Sequence, residues 1–101
     1  MIMTQDHLFQ TKATAAETLL KQLANRNRLM ILCTLISGEK NVSDLIEITK
    51  LSQSSVSQHL AKLKAENIIT SKKIGRQVFY RLNNMKVIVL ISTLHLIYCS
   101  N

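Results

Sequence analysis

Val56, Leu60 and Leu63 recur at i, i+4 and i+7 inside Leu51–Leu82, and two runs rich in β-branched and aromatic residues follow them directly. That spacing places the three on one helical stripe that must be buried. The opposite face, Ser54, Ser55, Ser57, Gln58 and Lys62, then points outward. Ser52 is the expected N-cap and Asn67 the residue that stops the helix in a left-handed conformation, so the helix should run from about Gln53 to Glu66. The runs Ile68–Ile74 and Gln77–Leu82 flank Gly75-Arg76, a type II′ turn candidate, and read as a hairpin. Taken singly, an amphipathic helix and a charged hairpin are ordinary surface elements. Joined, and sharing positive charge, they outline a winged DNA-binding module. Short hydroxyls and amides near a helix N-terminus can reach base edges, while Lys62 and the hairpin-tip residues Lys72, Lys73 and Arg76 suit phosphate.

The charge distribution supports that partner. The chain of 101 residues carries a formal charge of +7, and between Ala61 and Leu82 six basic residues (Lys62, Lys64, Lys72, Lys73, Arg76, Arg81) face one acid, Glu66. Such a concentrated excess is an electrostatic footprint for nucleic acid. An anionic membrane surface would instead need the cations along one amphipathic helix. The apolar stretch Val87–Cys99 is interrupted by Ser92, Thr93 and His95 and is shorter than the ~20 residues of a spanning helix. The first residues lack the basic region and apolar core of a secretory signal, so a cytoplasmic protein is expected.

There is no proline and no internal repeat. A flexible arm over residues 1–12 and a single domain over 13–101 are expected. Apolar periodicity predicts a first helix over Ala13–Leu23. A second, Arg26–Ser37, is capped by Asn25, is apolar nearly all round after its basic first turn, and ends at Gly38. Ser43 is the expected cap of a short third helix through Thr49, and Asn83 or Asn84 caps a last helix from Met85 to about Cys99. The fold class is therefore mainly α with a small β-hairpin, in the order ααααββα. A chain this short buries surface inefficiently, and the last helix carries more apolar surface than one small core can hide. That excess is read as a dimer interface.

Two cysteines in a reducing compartment are either inert small hydrophobes or redox chemistry. They form no Cys-x-x-Cys pair, and no βαβ pattern accompanies them, which argues against a thiol oxidoreductase. No enzymatic activity is expected.

The helix order, LSQSSVSQHLAKL and the GRQVFYRL wing together resemble the ArsR/SmtB family of winged helix-turn-helix repressors over roughly Ala13 to Cys99. The resemblance implies a homodimer joined through its first and last helices. Its two recognition helices would enter successive major grooves of an inverted-repeat operator in double-stranded DNA. Carried onto this chain, the DNA-binding positions are Ser54, Ser55, Ser57, Gln58 and His59 on the helix, with Lys62, and Lys73, Arg76 and Gln77 on the wing. His59 lies on the flank of the apolar stripe, so a structural contact is its alternative role.

The chain departs from the family's metal sensors. Where some members carry Cys-x-Cys at the start of the third helix, Asn41 and Ser43 stand here, and neither is a soft-metal ligand. Other members bind metal between paired last helices, but this last helix offers only His95 and no carboxylate. No metal site and no cofactor are expected. Cys33 and Cys99 instead match the cysteine positions of the thiol-based branch. That likeness implies that reactive sulfur species (sulfide or persulfide) or oxidants join them within the chain, by a disulfide or polysulfide bridge, and release operator DNA. His95, one turn before Cys99, is a candidate neighbour of that thiol. Alternative readings are a redox-sensitive activator that relieves silencing of virulence genes, a metal-responsive repressor, and an interaction module that uses the last helix to bind a different protein.

Overall fold

Asn25 ends one helix and begins the next by a local hydrogen-bonding choice: its side chain accepts from the N–H groups of Asn27 and Arg28. Caps of this kind start four of the five helices in the computed structural model, which describes residues 6–99. The order is α1 (Asp6–Leu23), α2 (Arg26–Ile36), β1 (Lys40–Asn41), α3 (Val42–Thr49), α4 (Gln53–Ala65), β2 (Ile69–Ile74), β3 (Gln77–Leu82) and α5 (Met85–Tyr98). Ser52 caps α4 and Asn84 caps α5, as their residue types imply.

Two helix starts differ from the sequence expectation. α3 starts at Val42 because Asn41, not Ser43, is its cap. The Asn41 side chain accepts from the Asp44 N–H at 2.8 Å while the Asp44 carboxylate accepts from the Asn41 N–H at 3.3 Å. That reciprocal pair satisfies two backbone donors where a lone serine would satisfy one. α1 begins at Asp6, so the arm expected over residues 1–12 is helical from that point, and its first five residues lie outside those described. The hydroxyls of Thr11, Thr14 and Thr18 each bond the carbonyl one turn back.

The hairpin pairs Ile69 with Leu82 through Ile74 with Gln77, leaving a two-residue turn. Gly75 takes φ +64° there while Arg76 stays out of positive φ, the type II′ pattern. β1 adds a third strand on the far side of β3, giving the order β1-β3-β2 with Lys40 opposite Tyr80 and Asn41 opposite Phe79. The sequence reading missed β1 because two residues are too few for any alternation to register.

α2 lies at the centre, packed against α3, α4, α5 and β3. Ile31, Leu32 and Leu35 from α2 meet Leu45, the expected stripe Val56, Leu60 and Leu63, Ile68 just before β2, Ile69 of β2, and Val87 and Ile91 of α5 in one buried cluster. Each such side chain contributes about 1.5–3 kcal/mol by leaving water. Among the described residues, α1 joins this core through Leu23 and the half-buried Leu19. No helix among the described residues is long and apolar enough to cross a membrane.

Candidate DNA interface and thiol cluster

α3 and α4 form a helix-turn-helix. Lys50 takes a left-handed φ of 62° and returns its N–H to the Ile46 carbonyl at 2.8 Å, which swings the chain into Leu51 and the Ser52 cap. Because Val56, Leu60 and Leu63 are buried, Ser54, Ser57, Gln58 and Lys62 stand exposed on the outer face of α4. Ser55 is half-buried. Lys73, Arg76 and Gln77 are exposed around the hairpin tip.

Three sets of contacts hold this surface in place. Lys64 Nζ donates to Ser71 Oγ at 2.8 Å, tying α4 to β2. Arg28 Nη1 donates to both the Gln22 carbonyl at 2.8 Å and Glu66 Oε1 at 3.0 Å, tying the end of α4 to α2. On the wing, Lys72 Nζ lies 3.4 Å from Glu39 Oε2, and Gln77 Oε1 accepts from Asn41 Nδ2 at 3.3 Å. Gln77 and Lys72 are thus partly engaged within the chain. The sequence names Lys64, Glu66, Lys72 and Gln77 by charge or position but pairs none of them, because the partner of each is set by packing between elements rather than by local spacing.

His59 sits apart from the serine face. It is half-buried and lines a recess with Gln22, Arg28, Lys62 and Glu66, and its Nδ1 is shielded with no hydrogen-bond partner among the described residues. Burial first, then Arg28 and Lys62, hold its pKa below the ordinary value. Its placement suits the structural contact of the two roles considered.

On the other side of α2, Cys33 and Cys99 meet. Cys33 Sγ, Cys99 Sγ and a ring nitrogen of His95 all lie within 4.8 Å of one another. Cys33 is half-buried and Cys99, the C-cap of α5, is exposed. Burial, the adjoining Cys99 and a side-chain hydrogen bond with it push the Cys33 thiol up. The Cys99 N–H closes the last helical turn on the His95 carbonyl at 2.8 Å, which keeps these two side chains on one face. Beside the cluster opens a largely apolar cleft of about 640 Å³, lined by Leu29, Met30, Ile48, Leu94 and Tyr98 among others.

A helix-turn-helix with an exposed polar second helix, flanked by a basic hairpin, defines a winged helix-turn-helix DNA-binding regulator. Comparison with known proteins narrows the class. The family described as bacterial regulatory protein, arsR family, matches residues 25–71. Transcriptional activator HlyU of Vibrio cholerae is 40% identical over 89% of this chain and 83% of its own length. The biofilm growth-associated repressor of Xylella fastidiosa is 34% identical over 97% of this chain and 85% of its own. Among solved structures, reduced HlyU from Vibrio cholerae superposes with a TM-score of 0.84 at 40% identity, covering 90% of this chain and 96% of that one. A predicted DNA-binding transcriptional regulator from Escherichia coli gives 0.88 at 35% identity, covering 93% and 100%. The chain belongs to the arsR family and is a transcriptional regulator, not an enzyme.

Proposed function

We propose that this regulator is a repressor that binds an inverted-repeat operator as a homodimer and releases it when reactive sulfur species or oxidants bridge Cys33 and Cys99. The observation that carries the reading is the approach of the two sulfurs to within 4.8 Å across α2 and α5. The exposed Cys99 is reached first and Cys33 resolves. With an organic persulfide, RSSH, Cys99 as thiolate takes the outer sulfur and a thiol RSH leaves. Cys33 then attacks the Cys99 sulfur and expels hydrogen sulfide. Two thiols and one RSSH thus give one disulfide, RSH and hydrogen sulfide. A second RSSH in place of that expulsion oxidises the Cys99 persulfide and Cys33 to a trisulfide, again releasing RSH and hydrogen sulfide. A relative solved in a form described as reduced supports redox chemistry on this scaffold.

Ser54, Ser55, Ser57 and Gln58 read bases, with Lys62, Lys73, Arg76 and Gln77 on phosphate. The second copy covers the apolar cleft between α1 and α5, where Ala15, Ala16, Leu19, Met85, Val89 and Leu90 lie. A bridge ties the end of α5 to α2, and α2 holds the end of α4 through Arg28 and Glu66, so the two states differ at the recognition helix. A relative named as an activator favours a second reading, in which the same switch activates transcription.

Operator affinity of the reduced chain and of persulfide-treated chain, measured at one salt concentration, tests the switch. Affinity should drop at least tenfold on treatment. Cys33→Ser and Cys99→Ser should bind operator and fail to respond. Equal affinity before and after treatment overturns the reading.

A further inference from the structure

Three metal-ligating side chains from two helices converge on one point. Cys33 comes from the middle of α2, and His95 and Cys99 come from successive turns at the end of α5. The sequence expectation of no metal site weighed His95 alone on its helix. The fold adds two thiols to it. From this arrangement we infer that the reduced protein binds one zinc-group divalent ion, Zn²⁺ or Cd²⁺, through Cys33, His95 and Cys99.

The geometry is close to what such an ion requires. Metal–sulfur bonds of about 2.3 Å and metal–nitrogen bonds of about 2.0–2.1 Å in a tetrahedron set ligand atoms roughly 3.4–3.8 Å apart. The three atoms here lie within 4.8 Å of one another, so a closure of about 1 Å completes the set. Cys99 can supply it, since it is exposed and ends its helix. Two thiolates with one imidazole are a soft set that selects zinc or cadmium over magnesium or calcium. A second observation points the same way: His95 Nδ1 is shielded from solvent and has no hydrogen-bond partner among the described residues. A cation bound at Nδ1 would give that atom the partner it lacks. Three protein ligands leave the fourth position to water or to a small thiol entering from the adjoining cleft.

Binding balances simply: the ion replaces two thiol protons, which go to solvent, and no electron moves. The site uses the same cysteines as the proposed switch yet stands without it. Because a bridge consumes both thiolates, ion and bridge exclude each other. A metal-loaded chain is therefore protected from persulfide.

The test is titration of the reduced, untagged full-length chain with Cd²⁺, following the ultraviolet thiolate-to-cadmium charge-transfer absorption and the protons released. One ion per chain, two protons per ion and an absorption reporting two Cd–S bonds are expected. Cys33→Ser and Cys99→Ser should each halve that absorption, and His95→Ala should weaken binding at least tenfold. His95→Gln, checked for unchanged helix content by circular dichroism, guards against loss of fold. No charge-transfer absorption, or unchanged affinity in both folded His95 variants, overturns the site. The outcomes separate from those of the switch: a persulfide response without cadmium binding removes only the metal site, and cadmium binding without a persulfide response removes only the switch.

Discussion

Arg28 and Glu66 form the ion pair that fastens the recognition helix to the core helix, with Nη1 and Oε1 3.0 Å apart and side chains only 12% and 31% exposed. Arg28 also holds the Gln22 carbonyl, so one guanidinium links the end of α1, α2 and the C-cap of α4. Removing the carboxylate leaves a largely buried cation short of a partner. Glu66→Ala should lower stability by about 1–3 kcal/mol, read from the midpoint of urea unfolding at an unchanged slope. A change under about 0.5 kcal/mol would show that the pair is not a structural fastening.

His59 should make the protein acid-sensitive. Its folded pKa lies below 6.5, so the unfolded chain takes up a proton first as pH falls. Stability contributed by the neutral ring is present above that value and is lost as pH drops from 6.5 toward the folded pKa. His59→Gln should flatten the fall in urea midpoint between about pH 7 and about pH 5. An identical pH profile in the variant would place the sensitivity elsewhere.

The two halves of the DNA face should separate by salt. Arg76, exposed at the hairpin tip, suits phosphate, whereas Gln58 stands on the exposed face of α4. Arg76→Ala should weaken binding to all sequences and reduce the slope of log K against log salt by about 1. Gln58→Ala should leave that slope and relax base preference, with a cost of about 1–3 kcal/mol on the preferred operator. Matching behaviour in both variants contradicts the division of roles.

Val89 is 56% exposed on α5 and lines the cleft against α1. A glutamate there costs the isolated fold little, because the side chain already meets solvent. It would place a charge inside the proposed apolar contact between copies. Val89→Glu should shift the sedimentation mass from dimer to monomer with helix content unchanged. A dimer that persists in this variant would move the interface away from this cleft.

Much of the fold was legible in the chain because its signals are local. The stripe Val56, Leu60 and Leu63, the caps Ser52 and Asn25, and the Gly75-Arg76 turn each act within a few residues and appear where the sequence placed them, and of the two caps offered for the last helix, Asn83 and Asn84, Asn84 is the one used. Exposure of Ser54, Ser57 and Gln58 follows from the same stripe, since burying one helical face turns the other outward. The cap of α3 escaped because two residues of the right type, Asn41 and Ser43, compete there, and only the reciprocal bond with Asp44 decides between them.

By itself, then, the sequence determined the order of the five helices and the hairpin, the buried stripe and the outward polar face, all set by helical and strand periods. Tertiary structure alone decided which distant side chains meet. It paired Arg28 with Glu66, added β1 to β3, and brought Cys33, far from α5 along the chain, beside His95 and Cys99. The physical reason is that periodicity constrains a residue's face, whereas the distance between two thiols depends on how two helices pack.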